Sequence, residues 1–163
     1  MTRWFPLTPA DDDFLLSAPA ITTQVLDVPV PAATLWAALA AVDAVVSWGP
    51  GATACRWTGG KPYGVGTVRE VTVAGVVTVR EQFYRWDEGK RMTFFVAEST
   101  RPGIRRMAED YVVEETATGS RLTWTVAMEV AHLAGLTAIV LKPVLGLAIG
   151  SMVSGLRKKL ATR

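Results

Sequence analysis

Residues 121–130 read Arg-Leu-Thr-Trp-Thr-Val-Ala-Met-Glu-Val. Leu122, Trp124, Val126, Met128 and Val130 alternate with Thr123, Thr125, Ala127 and Glu129. A period of two puts one face of a strand into a core and the other toward water, as in an antiparallel sheet covered on one side. The cover comes next in the chain. Residues 136–162 are long, apolar and helical in character, and they end in Arg157, Lys158 and Lys159, cations that complement the negative end of a helix dipole. A half-covered sheet beside such a helix predicts an α+β fold.

Upstream, strands alternate with turn residues. Residues 110–115 pair with 121–130 across Thr118-Gly119-Ser120, and a longer connection, 99–106, contains Pro102 and Gly103. Residues 92–98 come after the turn Asp87-Glu88-Gly89-Lys90. Residues 67–74 and 76–86 flank Gly75, a hairpin signal, and residues 52–58 form a further strand. The first strand, 21–30, carries Leu26 and Val28 on one face and Asp27 on the other. Pro31 suits a first helical turn. Ala32, Leu35, Trp36, Leu39 and Ala40 then form one helical stripe, and Asp43 is placed to cap a short helix, 44–48, that Gly49, Pro50 and Gly51 end. The predicted order is strand, two short helices, six strands, long helix. That is a curved antiparallel sheet of about seven strands around a C-terminal helix, with Leu136, Ile139, Val140, Leu147 and Val153 of the helix packing inward. No repeat or linker divides the chain, so 1–163 is read as one domain with an N-terminal extension, 1–19.

Composition narrows the function. Of 163 residues, 50% are hydrophobic and 20% charged, which fits a folded core rather than disorder. The net charge of +2 is spread along the chain without a basic stripe interleaved with aromatics, so nucleic acid is not an expected partner. Cys55 is the sole cysteine and His132 the sole histidine. No intrachain disulfide can form, and no metal or other cofactor is expected. Residues 1–20 hold Asp11, Asp12 and Asp13 and no basic-then-apolar run, so a cytoplasmic protein is expected.

Three stretches carry a family likeness. Leu26-Asp27-Val28-Pro29-Val30-Pro31 leads into Leu35-Trp36, Gly64-Val65-Gly66-Thr67-Val68-Arg69 starts a strand, and Glu81-Gln82-Phe83-Tyr84-Arg85-Trp86-Asp87 precedes Arg91 and Phe94. In order and spacing, over residues 20–160, they resemble the helix-grip superfamily of START-like, polyketide cyclase and pollen-allergen-type (SRPBCC) proteins. The resemblance implies a cavity between sheet and C-terminal helix for a lipid, polyketide, hormone or other apolar molecule. Its members include aromatase/cyclases and carriers, and fold likeness alone does not choose between these.

The residues suggest where polar contacts would lie. Arg69 shares a parity with Val71 and Val73, and Glu81 with Val77, Val79 and Phe83, so both charges face the same side of the sheet. Together they are tolerable when buried; apart they are not. Phe83, Phe94, Tyr111, Trp124 and Met128 are the expected walls, and Gly146 and Gly150, four apart on the helix with Ser154, the opposite side. Gly64 and Gly66 precede a strand rather than a helix, so they read as a turn and not a phosphate loop. Asp110, Glu114 and Arg80 fall on the outer faces. A non-catalytic ligand-binding protein is therefore favoured. A polyketide cyclase-like enzyme is the alternative, with Glu81, Arg69, Tyr84, Tyr111 and His132 as its only acid–base candidates. The helix is also long enough to span a bilayer, but Lys142 and Pro143 interrupt it and the strands need a cover, so a membrane-associated or protein-association module is the less favoured reading. A monomer or homodimer fits either.

Overall fold

The computed structural model describes residues 2–131 and 137–162. A two-residue strand β1 (Phe5–Pro6) and a short helix α1 (Asp12–Ser17) precede β2 (Ala20–Val28), α2 (Ala32–Leu39) and α3 (Ala44–Trp48). Six strands come next: β3 (Ala52–Thr58), β4 (Val68–Val73), β5 (Val77–Asp87), β6 (Arg91–Ser99), β7 (Ile104–Thr116) and β8 (Gly119–Val130). A π-helical turn, Thr137–Leu141, leads into α4 (Lys142–Ala161). The sheet is antiparallel throughout, in the order β2-β8-β7-β6-β5-β4-β3, with β1 added to the end of β6. The α+β helix-grip architecture expected from the sequence is the one found.

Register explains the curvature. Bulges interrupt β5–β6 between Arg80 and Glu81 and between Phe83 and Arg85, and β7–β8 between Ile104 and Arg106. Each bulge bends its strand and raises the local twist. The β4–β5 hairpin turns through Ala74 and Gly75, both at positive φ (52° and 68°), the conformation that fits strand twist in a two-residue turn. The concave face buries Leu26, Phe83, Phe94, Leu122, Trp124 and Val126 against α2, α3 and α4.

The convex face is covered too, which the sequence pattern does not announce. Ala10, Phe14 and Leu15 of the N-terminal extension pack on Ala108 and Ala127, small residues that let the helix sit close. Asp11 caps α1 through Phe14 N (3.0 Å), and Asp12 is bound by Arg85 and Tyr84, so the acidic triplet builds a helix and anchors it. Asp43, by contrast, makes no side-chain capping bond. Strand β7 also begins at Ile104, inside the stretch expected to be a connection. Asp110 is buried rather than solvated: Arg91 (2.9 and 3.0 Å) and Thr93 (2.7 Å) hold its carboxylate. Arg80 is likewise bound, between Glu70 (2.9 Å) and Glu98 (2.6 Å).

The rotation of α4 differs from the expectation as well. Leu145, Ile149, Val153, Leu156 and Leu160 face the core, while Ile139, Val140 and Leu147 are exposed. Val153 is inward as expected, and Leu136 lies outside the described residues. The cause is at the other end of the helix. A Cβ on Gly155 would overlap the carbonyl oxygen of Trp48, so the helix backbone rests on the end of α3 there. That contact, with Leu156 and Leu160 fully buried beside it, fixes the phase. Gly155→Ala is expected to destabilise the fold by about 3 kcal/mol through overpacking. Gly150→Ala, with no atom within 4 Å of the new methyl, should instead be neutral or stabilising by up to about 1 kcal/mol. Urea unfolding monitored by circular dichroism checks both.

Candidate functional site

The hairpin β4–β5 sets Arg69 directly opposite Glu81. Both side chains lie on the concave face, and Nε of Arg69 donates to a Glu81 carboxylate oxygen at 2.6 Å. Arg69 has 0% exposure. Its guanidinium carbon stands 5.1 Å from the ring centre of Trp57, 5.3 Å from Phe83 and 5.0 Å from Phe94. Desolvated cation–π contacts of this kind are worth about 2 kcal/mol or more. They and Glu81 offset the penalty of taking the charge from water. Nη1 and Nη2, however, are buried without any hydrogen-bond partner among the described residues.

A second carboxyl stands further along the same face. Glu109 of β7 lies opposite Phe94 of β6 and Val126 of β8. It accepts from Trp124 Nε1 (2.8 Å) and from the Tyr111 hydroxyl (3.1 Å). Burial, and then the negative charge of Glu81, push its pKa up to about 7, against the pull of Arg69 and its two donors. The Tyr111 phenol is driven well above its ordinary value, chiefly by burial, and stays a donor. Burial also raises Glu81, with Arg69 opposing it. Among the described residues the concave face thus buries one guanidinium and two carboxyls, and burial pushes both carboxyls toward the protonated form.

Most residues singled out from the sequence meet here. Rings join Phe83 to Phe94 (4.9 Å), Phe94 to Tyr111 (5.5 Å) and Tyr111 to Trp124 (4.8 Å). Met128 is on the same face of β8, in the same core. On α4, a Cβ at Gly146 would stand 3.6 Å from the Thr22 hydroxyl of β2, and Gly150 has open space about it. Others lie elsewhere. Tyr84 bonds Asp12 on the convex face, so it drops out as an interior acid–base group. Cys55 is half-buried, and burial raises its thiol pKa, so it is held protonated. His132 lies outside the described residues. Glu109 is absent from the candidates read from the sequence, although Tyr111, two residues on, is among them and strand parity puts both on one face.

Near this row the surface holds an open depression of about 670 Å³, lined by Ala40, Lys61, Pro62, Tyr63, Trp86 and Glu88. Tyr63 stacks on Trp57 (4.2 Å between centres), and the Glu88 carboxylate accepts from the indoles of both Trp36 (2.8 Å) and Trp86 (2.7 Å). These rings separate the depression from the Arg69 guanidinium. The Gly64–Gly66 segment is a turn, with Gly66 at φ 87°.

Residues 19–163 match the profile of a family described as polyketide cyclase / dehydrase and lipid transport. The chain belongs to that family. An uncharacterised protein of Mycobacterium tuberculosis is 32% identical over 145 residues, covering 89% of this chain and 87% of its own. Among solved structures, a START superfamily protein from Mycobacterium smegmatis superposes with a TM-score of 0.74 at 12% identity, over 87% of this chain and 97% of that one. Ara h 8.0201 does so with a TM-score of 0.68 at 17% identity, over 88% and 98%. DynU16, from the dynemicin biosynthetic locus, gives 0.68 at 16% identity over 87% of this chain and 47% of its own. At these identities the structures share the fold, a curved antiparallel sheet around a long C-terminal helix.

Glu109 leaves a signature in stability. An unfolded glutamate titrates near 4.5, and the folded one near 7. Between those values the folded state keeps a proton that the unfolded state has lost, so stability falls as pH rises through that window and levels off above it. Chemical denaturation across this range is expected to show the slope, and Glu109→Gln, which keeps an acceptor for Tyr111 and Trp124, is expected to reduce it, the raised Glu81 supplying what remains.

Proposed function

We propose that the chain binds a small apolar molecule, lipid- or polyketide-like, between the concave face of the sheet and α4, with Arg69 and Glu81 as its polar anchors. The observation that carries this reading is the pair of buried Arg69 nitrogens without a partner among the described residues, set in a wall of aromatic rings. A buried donor left unpaired costs about 1–3 kcal/mol, more when charged. A ligand oxygen that accepts from Nη1 or Nη2 recovers a bond the fold leaves open. Because Glu81 already matches the charge of Arg69, a neutral carbonyl or hydroxyl oxygen suits the position better than a second carboxylate. Phe83, Phe94, Tyr111, Trp124 and Met128 supply apolar wall, and Gly146 and Gly150 spare room on the helix side. Rotation of Tyr63 and Trp86 is the natural way in from the surface depression. The family's description as cyclase, dehydrase and lipid transport is in keeping with such a ligand.

One observation favours a second reading, an enzyme of the cyclase or dehydrase kind. Glu109 titrates near neutrality, the property a general acid–base group needs. In a dehydration it would take a proton from the carbon next to a carbonyl and return it to the departing hydroxyl, so that a carbon–carbon double bond and one water result. Binding ranks first because it asks for no reactive group at all.

Native mass spectrometry of protein purified from cells, with organic extraction, is expected to find a bound apolar molecule. Arg69→Met and Glu81→Gln should each lower its retention about tenfold or more. Breaking a buried pair costs about 3–5 kcal/mol, so the double variant Arg69→Met/Glu81→Leu, which removes both charges, separates lost binding from lost fold. Ligand-free protein would sink the binding proposal, and retention unchanged in the folded double variant would sink the assignment of Arg69 and Glu81 as anchors. Glu109→Gln tells the readings apart: a carrier keeps its ligand unaltered, whereas an enzyme's bound molecule loses one water in the wild type and not in the variant.

A further inference from the structure

Turned by its seat on Trp48, α4 leaves an apolar face uncovered. Val140, Val144, Leu147, Ser151, Ser154 and Lys158 are all exposed and fall alternately four and three apart, so they form one line along the helix. Ile139 adds to it at the N-terminal end. Ile139 is 75% and Leu147 77% exposed, values unusual for large aliphatic side chains so near each other on one helix. The line is apolar over its first half and cationic at its end.

The charges beside it have one sign. From Val130 onward the sequence contains no Asp or Glu, while Arg157 and Lys158 are exposed. Two carboxylates of β2 and β8 are engaged: Asp27 by Arg121 (2.8 and 3.1 Å) and Glu129 by Arg105 (3.2 Å). A symmetric contact between two copies of this face would bring cations together without a carboxylate to receive them. A bilayer-spanning helix would need to strip Leu145, Ile149, Val153, Leu156 and Leu160 from the core. An anionic lipid surface meets both features at once, with acyl chains for the aliphatic line and headgroups for the cations.

We propose that the outer face of α4, with the π-helical turn before it, docks the protein on anionic membranes. The helix lies in the interface, with Ile139, Val140, Val144 and Leu147 at the acyl boundary and Arg157 and Lys158 against headgroups. This surface is separate from the interior row and does not depend on what that row binds. It gives membrane contact more weight than the sequence pattern does, because that pattern assigns Ile139, Val140 and Leu147 to the core.

Flotation of the purified full chain with vesicles is the test. Binding to phosphatidylcholine containing about 30% phosphatidylglycerol is expected to be tenfold or more tighter than to phosphatidylcholine alone, and to weaken with salt. Val144→Glu/Leu147→Glu should abolish binding to both vesicles, and Arg157→Gln/Lys158→Gln should weaken anionic binding by about fivefold per charge removed. All four side chains are exposed, so far-ultraviolet circular dichroism and the melting temperature should not change. Absence of flotation, or flotation unaffected by Val144→Glu/Leu147→Glu, would overturn the proposal. So would a dimer that these variants dissolve in protein that binds no vesicle, which would assign the face to a second copy.

Discussion

The contact between Gly155 and the Trp48 carbonyl sets the arrangement of the whole concave side. A helix lying across a curved sheet can rotate about its own axis, and aliphatic residues occur all round α4. Only a glycine lets its backbone reach the end of α3, and that seating selects Leu145, Ile149, Val153, Leu156 and Leu160 for the core. Trp48 in turn packs edge to face on Trp124 (5.9 Å), whose indole nitrogen holds Glu109. The helix, the aromatic row and the buried carboxyl are thus linked mechanically.

The interior is unusual in its electrostatics rather than in its packing. A fully buried guanidinium is tolerated because one carboxylate and three ring faces meet it, yet two of its nitrogens have no partner among the described residues. A second carboxyl is raised chiefly by its burial and then by the charge of the first. Such an arrangement is a poor way to stabilise a core, since apolar residues of similar volume often do as well or better. It is a reasonable way to hold a polar group of something else.

Period-two patterning makes the strands readable, and parity alone places Arg69, Glu81, Phe94 and Trp124 on one face. The same rule applied to β7 finds Glu109 once Tyr111 is taken as inward. Other features are not legible, for physical reasons. The helix phase depends on one backbone contact with a residue far away in sequence, and an all-round apolar helix has no stripe strong enough to announce it. The docking of α1 on the convex face is hidden because its targets are alanines, which read as neutral at either face. Asp110 looks solvated by parity, but a convex face under a helix is not wet.

The sheet order also bears on how the molecule assembles. Strand β2, near the start of the chain, has β8 as its only strand neighbour among the described residues, with Ala20 opposite Met128 and Val28 opposite Ser120. The β3–β8 meander can form from local hairpins as it emerges, but β2 must wait for the last strand, and α4 for both. Loop closure over so long a separation is slow, and until it occurs the edge of β8 and the concave aromatic face are open together. For a protein with so aromatic an interior, that interval is when its own chain most resembles an adhesive, and the joining of β2 to β8 is the step that ends it.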